Sequence, residues 1–205
     1  ISDNKKIRVT GNIYAVGTPL LPIYFLPENN YWAGFDVPGN SVFRYCHFRS
    51  LSGSNIFGFF QDDSFLEISN SQFFDIMVNN IFFKHPNIFM YNNITNVIEG
   101  GFFNFMSSYA PYNLNTISSN IMYNNFVQNN FQTNTGYLIG FDFDWKGGSK
   151  TPHWDYSNID ISQNNMFNNR GGASFEINGS ADRFFQGLNY FGSSNEATIN
   201  ENIID

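Results

Sequence analysis

Five segments of the chain align without gaps on one bulky apolar residue: Phe48, Phe73, Ile94, Phe126 and Met166. Five positions before each stand Phe43, Ile68, Phe89, Ile121 and Ile161, all apolar. Immediately before each stand His47, Gln72, Asn93, Asn125 and Asn165, all able to hydrogen-bond. Nine positions after stand Phe57, Phe82, Phe103, Thr135 and Phe175, and a two-residue shift in the exceptional repeat brings Tyr137 into the slot. The spacings between anchors are 25, 21, 32 and 40 residues. A repeat of this size that cannot bury its apolar face alone must stack on its neighbours, equivalent residue over equivalent residue. The apolar columns then point inward. The polar column lies at a turn, where Asn93, Asn125 and Asn165, extended by Gln72, can form an amide ladder.

The repeat is one of strands. Ile7, Val9, Gly11, Ile13 and Ala15 alternate with period two, as do Ile139, Phe141 and Phe143. Composition agrees. There are 25 Phe and 11 Tyr but only 13% charged residues, against about 25% in ordinary soluble domains. Asn, Ser, Thr and Gln therefore supply the polar surface, and Asn favours turns over regular interiors. The expected fold is all-β: a single-stranded right-handed parallel β-helix, or β-solenoid, of about seven or eight coils. It is read as one domain over 1–205, with N-terminal coils at 1–42, regular coils at 43–180 and a C-terminal coil or cap at 181–205. The two long spacings imply insertions near 107–118 and 142–157. Such insertions become loops, often on the binding face.

Two stretches resemble a known superfamily. Val9, Gly11, Ile13, Ala15 and Gly17, then Pro22, Ile23 and Phe25, then Trp32 and Gly34, are similar to the opening coils of NosD-like and pectate-lyase-like right-handed β-helix repeat proteins. Asn189, Tyr190 and Gly192, through Ile199, Ile203 and Ile204 to Asp205, resemble their ending, with Phe191 and Ser193 in place of the usual Trp and Thr. The resemblance implies an architecture, and a module of a secreted or cell-surface protein. Polysaccharide lyases and hydrolases on this fold use clustered carboxylates, sometimes calcium, and a basic residue on the outer face.

Several function classes are disfavoured. The net charge is −7 and ten Lys and Arg are spread along the length, so the basic footprint of a nucleic-acid binder is missing. No stretch approaches the roughly 20 apolar residues that span a bilayer, so membrane insertion is not expected. No signal peptide opens the chain at Ile1, which suits either its removal or an internal segment of a longer protein. Cys46 is the single cysteine. It has no disulfide partner within the chain and reads as a small inward hydrophobe.

Candidate chemistry concentrates in the second insertion. Asp142, Asp144 and Asp155 could supply oxygen ligands to calcium, and Lys146, Lys150 or His153 could act as acid or base beside them. Trp145, Trp154 and Tyr156 offer flat rings to a sugar. The plainer reading, a solvated loop whose rings cover the coil beneath, is preferred to catalysis. Asp62 and Asp63 are adjacent and face opposite ways on a strand. His47 reads as a ladder residue, His85 before Pro86 as a solvated turn, and Arg170 to Ala173 as a corner. The sequons at Asn93 and Asn178 are expected by chance in so Asn-rich a chain. The function expected is a non-catalytic extracellular structural or adhesin-type module contacting glycan, with no resident cofactor, its ends covered by neighbouring domains or subunits. The alternative is a polysaccharide lyase or glycoside hydrolase with its site at 142–156.

Overall fold

The structure, a computed structural model, describes residues 1, 5–37, 39–58, 64–82, 87–106, 118–129, 136–142, 159–169, 172–178, 189–192, 195 and 203–204. These residues form seventeen strands and no helix, and every strand pairs in parallel. One sheet stacks β2 (Ile13–Val16), β5 (Ser41–Arg44), β7 (Leu66–Ser69), β9 (Ile88–Met90), β11 (Ser119–Met122) and β14 (Ile159–Ser162) in that order. The other runs from β1 (Lys6–Arg8) and β4 (Gly34–Asp36) through the long β6 (Cys46–Gly58), β8 (Gln72–Phe82) and β10 (Asn93–Met106). It continues through β13 (Gly136–Asp142) and β16 (Gly172–Asn178) to β17 (Ile203–Ile204). The short β3 (Ile23–Phe25) pairs with the start of β6, while β12 (Asn125–Val127) and β15 (Asn165–Phe167) follow the start of β10.

The columns read from the sequence are the columns of the registers. Phe48 pairs with Phe73, Phe73 with Ile94, Ile94 with Phe126 and Phe126 with Met166. Phe25 continues the column above Phe48. Phe43, Ile68, Phe89, Ile121 and Ile161 stack likewise, with Ala15 above Phe43. All ten predicted residues are at most 1% exposed. Cys46 is buried too, and burial pushes its thiol up to about 12. One slot is corrected. In the exceptional repeat Ile139, not Tyr137, pairs with Phe103 and Phe175, while Tyr137 pairs with Gly101 and Ala173. Four extra residues follow the anchor there instead of two, an even number in both cases, so Ile139 and Tyr137 share strand parity.

Each repeat turns two sharp corners, and neither uses glycine. Three residues before the anchors, Tyr45, Asn70, Tyr91, Tyr123 and Gln163 have φ between 52° and 58°. Two residues after them, Ser50, Asp75, Asn96, Gln128 and Asn168 have φ between 53° and 62°. This left-handed conformation is costly for residues with a Cβ, so something must hold it. Buried amides do. Next to the first corner, Asn92, Asn124, Asn164 and Asn189 form a vertical file. Their side-chain oxygens accept the main-chain N–H of Ser71, Asn92, Asn124 and Asn164 at 2.9–3.1 Å. Their Nδ2 groups donate to the carbonyls of Ile68, Phe89, Ile121 and Ile161 at 2.8–3.0 Å. Beyond the second corner, Asn129 and Asn169 do the same for Val97 and Asn129. Groups freed from regular pairing by the bends are thus satisfied inside the protein.

The outer face of the β2-to-β14 sheet carries an ion pair. Arg44 grips Glu67 with two hydrogen bonds, 2.5 and 2.7 Å, and the Ser69 hydroxyl adds a third at 2.9 Å. The Arg44 bonds hold the Glu67 carboxyl below its ordinary 4.5, against the opposing effect of burial. A carboxylate depressed in the folded state contributes stability above its unfolded pKa and loses it as pH falls through its folded pKa. The stability difference between wild type and Glu67→Gln should therefore be constant near neutrality. It should shrink as pH drops below about 4.5 and vanish in stronger acid. Urea unfolding at a series of pH values measures this, and a difference that grows in acid would contradict the assignment.

Candidate functional site

The three-residue strands between the two corners present a narrow outer face. Inward side chains are the anchors, so the residues on either side of them point out. One column reads Tyr24, His47, Gln72, Asn93, Asn125, Asn165, and the other Leu26, Arg49, Phe74, Thr95, Val127, Phe167. The lower part of the first column is an amide ladder: Asn125 donates to Asn93 at 2.8 Å and Asn165 to Asn125 at 2.7 Å. This is the ladder expected from the sequence, with Gln72 holding the register position above Asn93.

The upper part is a groove of about 540 Å³, within the range of small-ligand sites. Tyr24, Leu26 and Phe74 stand in its walls 58%, 43% and 43% exposed. The Tyr24 and His47 rings meet edge to face at 4.7 Å. The Arg49 guanidinium sits 5.0 Å over the Phe74 ring. Among the described residues the ion pairs are Arg8–Asp36 and Arg44–Glu67, so no carboxylate there pairs with Arg49. Desolvation lowers the His47 pKa, which keeps its imidazole neutral near pH 7 and able both to donate and to accept a hydrogen bond. Gln72 and Asn93 add amides at the floor. Exposed rings beside amides, a neutral imidazole and a guanidinium suit a flat, hydroxyl-rich ligand: the rings supply contact area and the polar groups fix orientation.

Asp144, Trp145, Lys146, His153, Trp154, Asp155 and Tyr156 lie outside the described residues, as do Asp62, Asp63, His85 and Arg170. Asp142 is described in its backbone, in register with Met106 and Asn178 at the end of β13. Of the 107–118 insertion only Ser118 is described, its carbonyl accepting from Asn87 at 3.4 Å. His47 occupies the column expected of it. No group of three or more His, Cys, Asp or Glu placed to hold a metal occurs among the described residues.

Sequence reasoning missed the groove. The signal was there: Phe25 is a sixth anchor, and extending the column to it puts Tyr24 above His47 and Leu26 above Arg49. The chain matches no family model, no curated protein and no solved structure.

Proposed function

We propose that the chain is a right-handed parallel β-helix of about seven or eight coils, of the NosD-like and pectate-lyase-like kind, and a non-catalytic module of a secreted or cell-surface protein that contacts glycan. Parallel stacking with short repeats supports the architecture, and parallel crossovers are right-handed in about 98% of cases. The observation that carries the functional reading is the groove of Tyr24, His47, Arg49 and Phe74 on an otherwise amide-rich face. The second insertion, with Trp145, Trp154 and Tyr156, is the other contact region of the proposal.

The double variant Tyr24→Ala, Phe74→Ala tests it. Both side chains are largely outward, so circular dichroism and melting should change little. Retardation in affinity electrophoresis, on the glycan that a glycan array selects, should weaken at least about tenfold, on the order of 1.4 kcal/mol. An array on which the wild type binds nothing, or a variant that binds as the wild type does, would overturn the reading.

A further inference from the structure

We infer that Tyr91 and Tyr123 form an oxidative cross-linking site, at which a peroxide, acting through a haem peroxidase, joins two successive repeats by a covalent dityrosine bond. The inference is independent of glycan contact. The two rings are stacked with centroids 5.1 Å apart and planes 5° from parallel. They are also on the surface, 55% and 39% exposed. The backbone imposes the stack. Both residues occupy the first corner of their repeats, with φ of 58° and 57°, so their side chains leave equivalent backbones one layer apart. Register is fixed on both sides of them, by Met90 on Met122 before and Asn93 on Asn125 after. Tyr91 N–H donates to the Met122 carbonyl at 3.3 Å. Beside it the Asn124 oxygen accepts from the Asn92 main chain and Nδ2 at 2.9 and 3.1 Å. In the file of first-corner residues Asn70 separates Tyr45 from Tyr91, and Gln163 follows Tyr123. Tyrosines therefore meet in adjacent layers of that file at this pair.

The chemistry needs two phenols side by side and an oxidant that can reach them. Each phenol gives up one electron and its hydroxyl proton, leaving a phenoxyl radical with much of its spin on the ring carbons next to the C–O carbon. Two such carbons, one from each ring, form a carbon–carbon bond. Each then sheds its hydrogen as a proton while a proton returns to each oxygen, so both phenols are restored. In total the protein loses two hydrogen atoms and one peroxide is reduced to two waters. Exposure admits the oxidant, and the stack holds the second ring beside the first, which turns a bimolecular coupling into an intramolecular one. The rings reach bonding contact by rotation about their own side-chain bonds, which surface side chains make readily. The bond ties residues 32 apart, across the interval that contains the 107–118 insertion, in a chain whose single cysteine allows no internal disulfide. A tie across an interval of this length removes entropy from the unfolded chain, as a disulfide does.

Treating the dilute full chain with hydrogen peroxide and a haem peroxidase tests the site. The wild type should stay monomeric on a denaturing gel, lose the mass of two hydrogen atoms and gain the blue fluorescence of dityrosine. Peptide mapping should link the fragments that carry Tyr91 and Tyr123, and Tm should rise by at least about 5 °C. Tyr91→Phe and Tyr123→Phe each keep a ring in the stack, so circular dichroism before oxidation should match the wild type, yet each should abolish the fluorescence of the monomer. Tyr14→Phe is the control, because Tyr14 is 65% exposed but stands in register with Val42, and it should leave the fluorescence unchanged. Cross-links that form only between molecules, no dityrosine at all, or monomer fluorescence that survives Tyr91→Phe would overturn the inference.

Discussion

Phe73→Ala is expected to lower the unfolding free energy by about 3–5 kcal/mol, the range for large aromatic truncations in packed cores. For a chain of this size that corresponds to a fall of roughly 6–20 °C in Tm. Phe73 is 1% exposed, and its ring lies 4.8 Å from Phe48 and 5.7 Å from Phe89. The truncation therefore removes contacts with the repeat above it and the repeat below it at once. In a stacked array, where each repeat is held chiefly by its neighbours, the weakened layer has no other core to rely on. Urea and thermal unfolding measure the effect. A loss below 1 kcal/mol would mean that the column is not packed as described.

Asn124→Ala should be as severe although it deletes only a small polar group. The Asn124 side chain accepts from Asn92 N–H and Nδ2 at 2.9 and 3.1 Å, and donates to the carbonyl of Phe89 at 2.8 Å and to Asn164 Oδ1 at 3.0 Å. Alanine strands at least the Asn92 N–H and the Phe89 carbonyl in the interior. At about 1–3 kcal/mol per stranded group, the loss is roughly 2–6 kcal/mol. The adjacent Asn125 supplies the control, since its ladder lies on the outer face where water can replace the missing amide. Asn125→Ala should cost no more than about 1.5 kcal/mol, the upper end for an ordinary hydrogen bond. Equal losses at the two positions would refute the division of roles.

That contrast marks where the sequence was legible. The inward columns could be read because burial imposes one chemistry on every member: Phe43, Ile68, Phe89, Ile121 and Ile161 are all large and apolar. The neighbouring file was harder. It holds Cys46, Ser71, Asn92, Asn124 and Asn164, and its unity appears only when main-chain donors are matched to side-chain oxygens in the next layer. The doubled asparagines Asn92 and Asn93, Asn124 and Asn125, Asn164 and Asn165 drew attention to the outer ladder and hid the inner one. The corners were hidden more deeply. Tyr45, Asn70, Tyr91, Tyr123 and Gln163 share no side-chain property, only a backbone conformation. The groove was missed because the anchor column was started one repeat late. Had Phe25 been included, Tyr24 would have fallen beside His47 by arithmetic alone.

The two corners also divide the chain into a part that tolerates no change of length and a part that absorbs all of it. From five residues before each anchor to three after, the count is the same in all five repeats. The difference between spacings of 21 and 40 residues arises entirely in the stretch beyond. Along the lineage that produced this chain, gene segments could therefore be gained or lost at one edge while the corner-to-corner half kept its hydrogen bonds. For an engineer the same edge is a place to graft foreign peptides, one per layer, in a line whose spacing is set by the strand repeat.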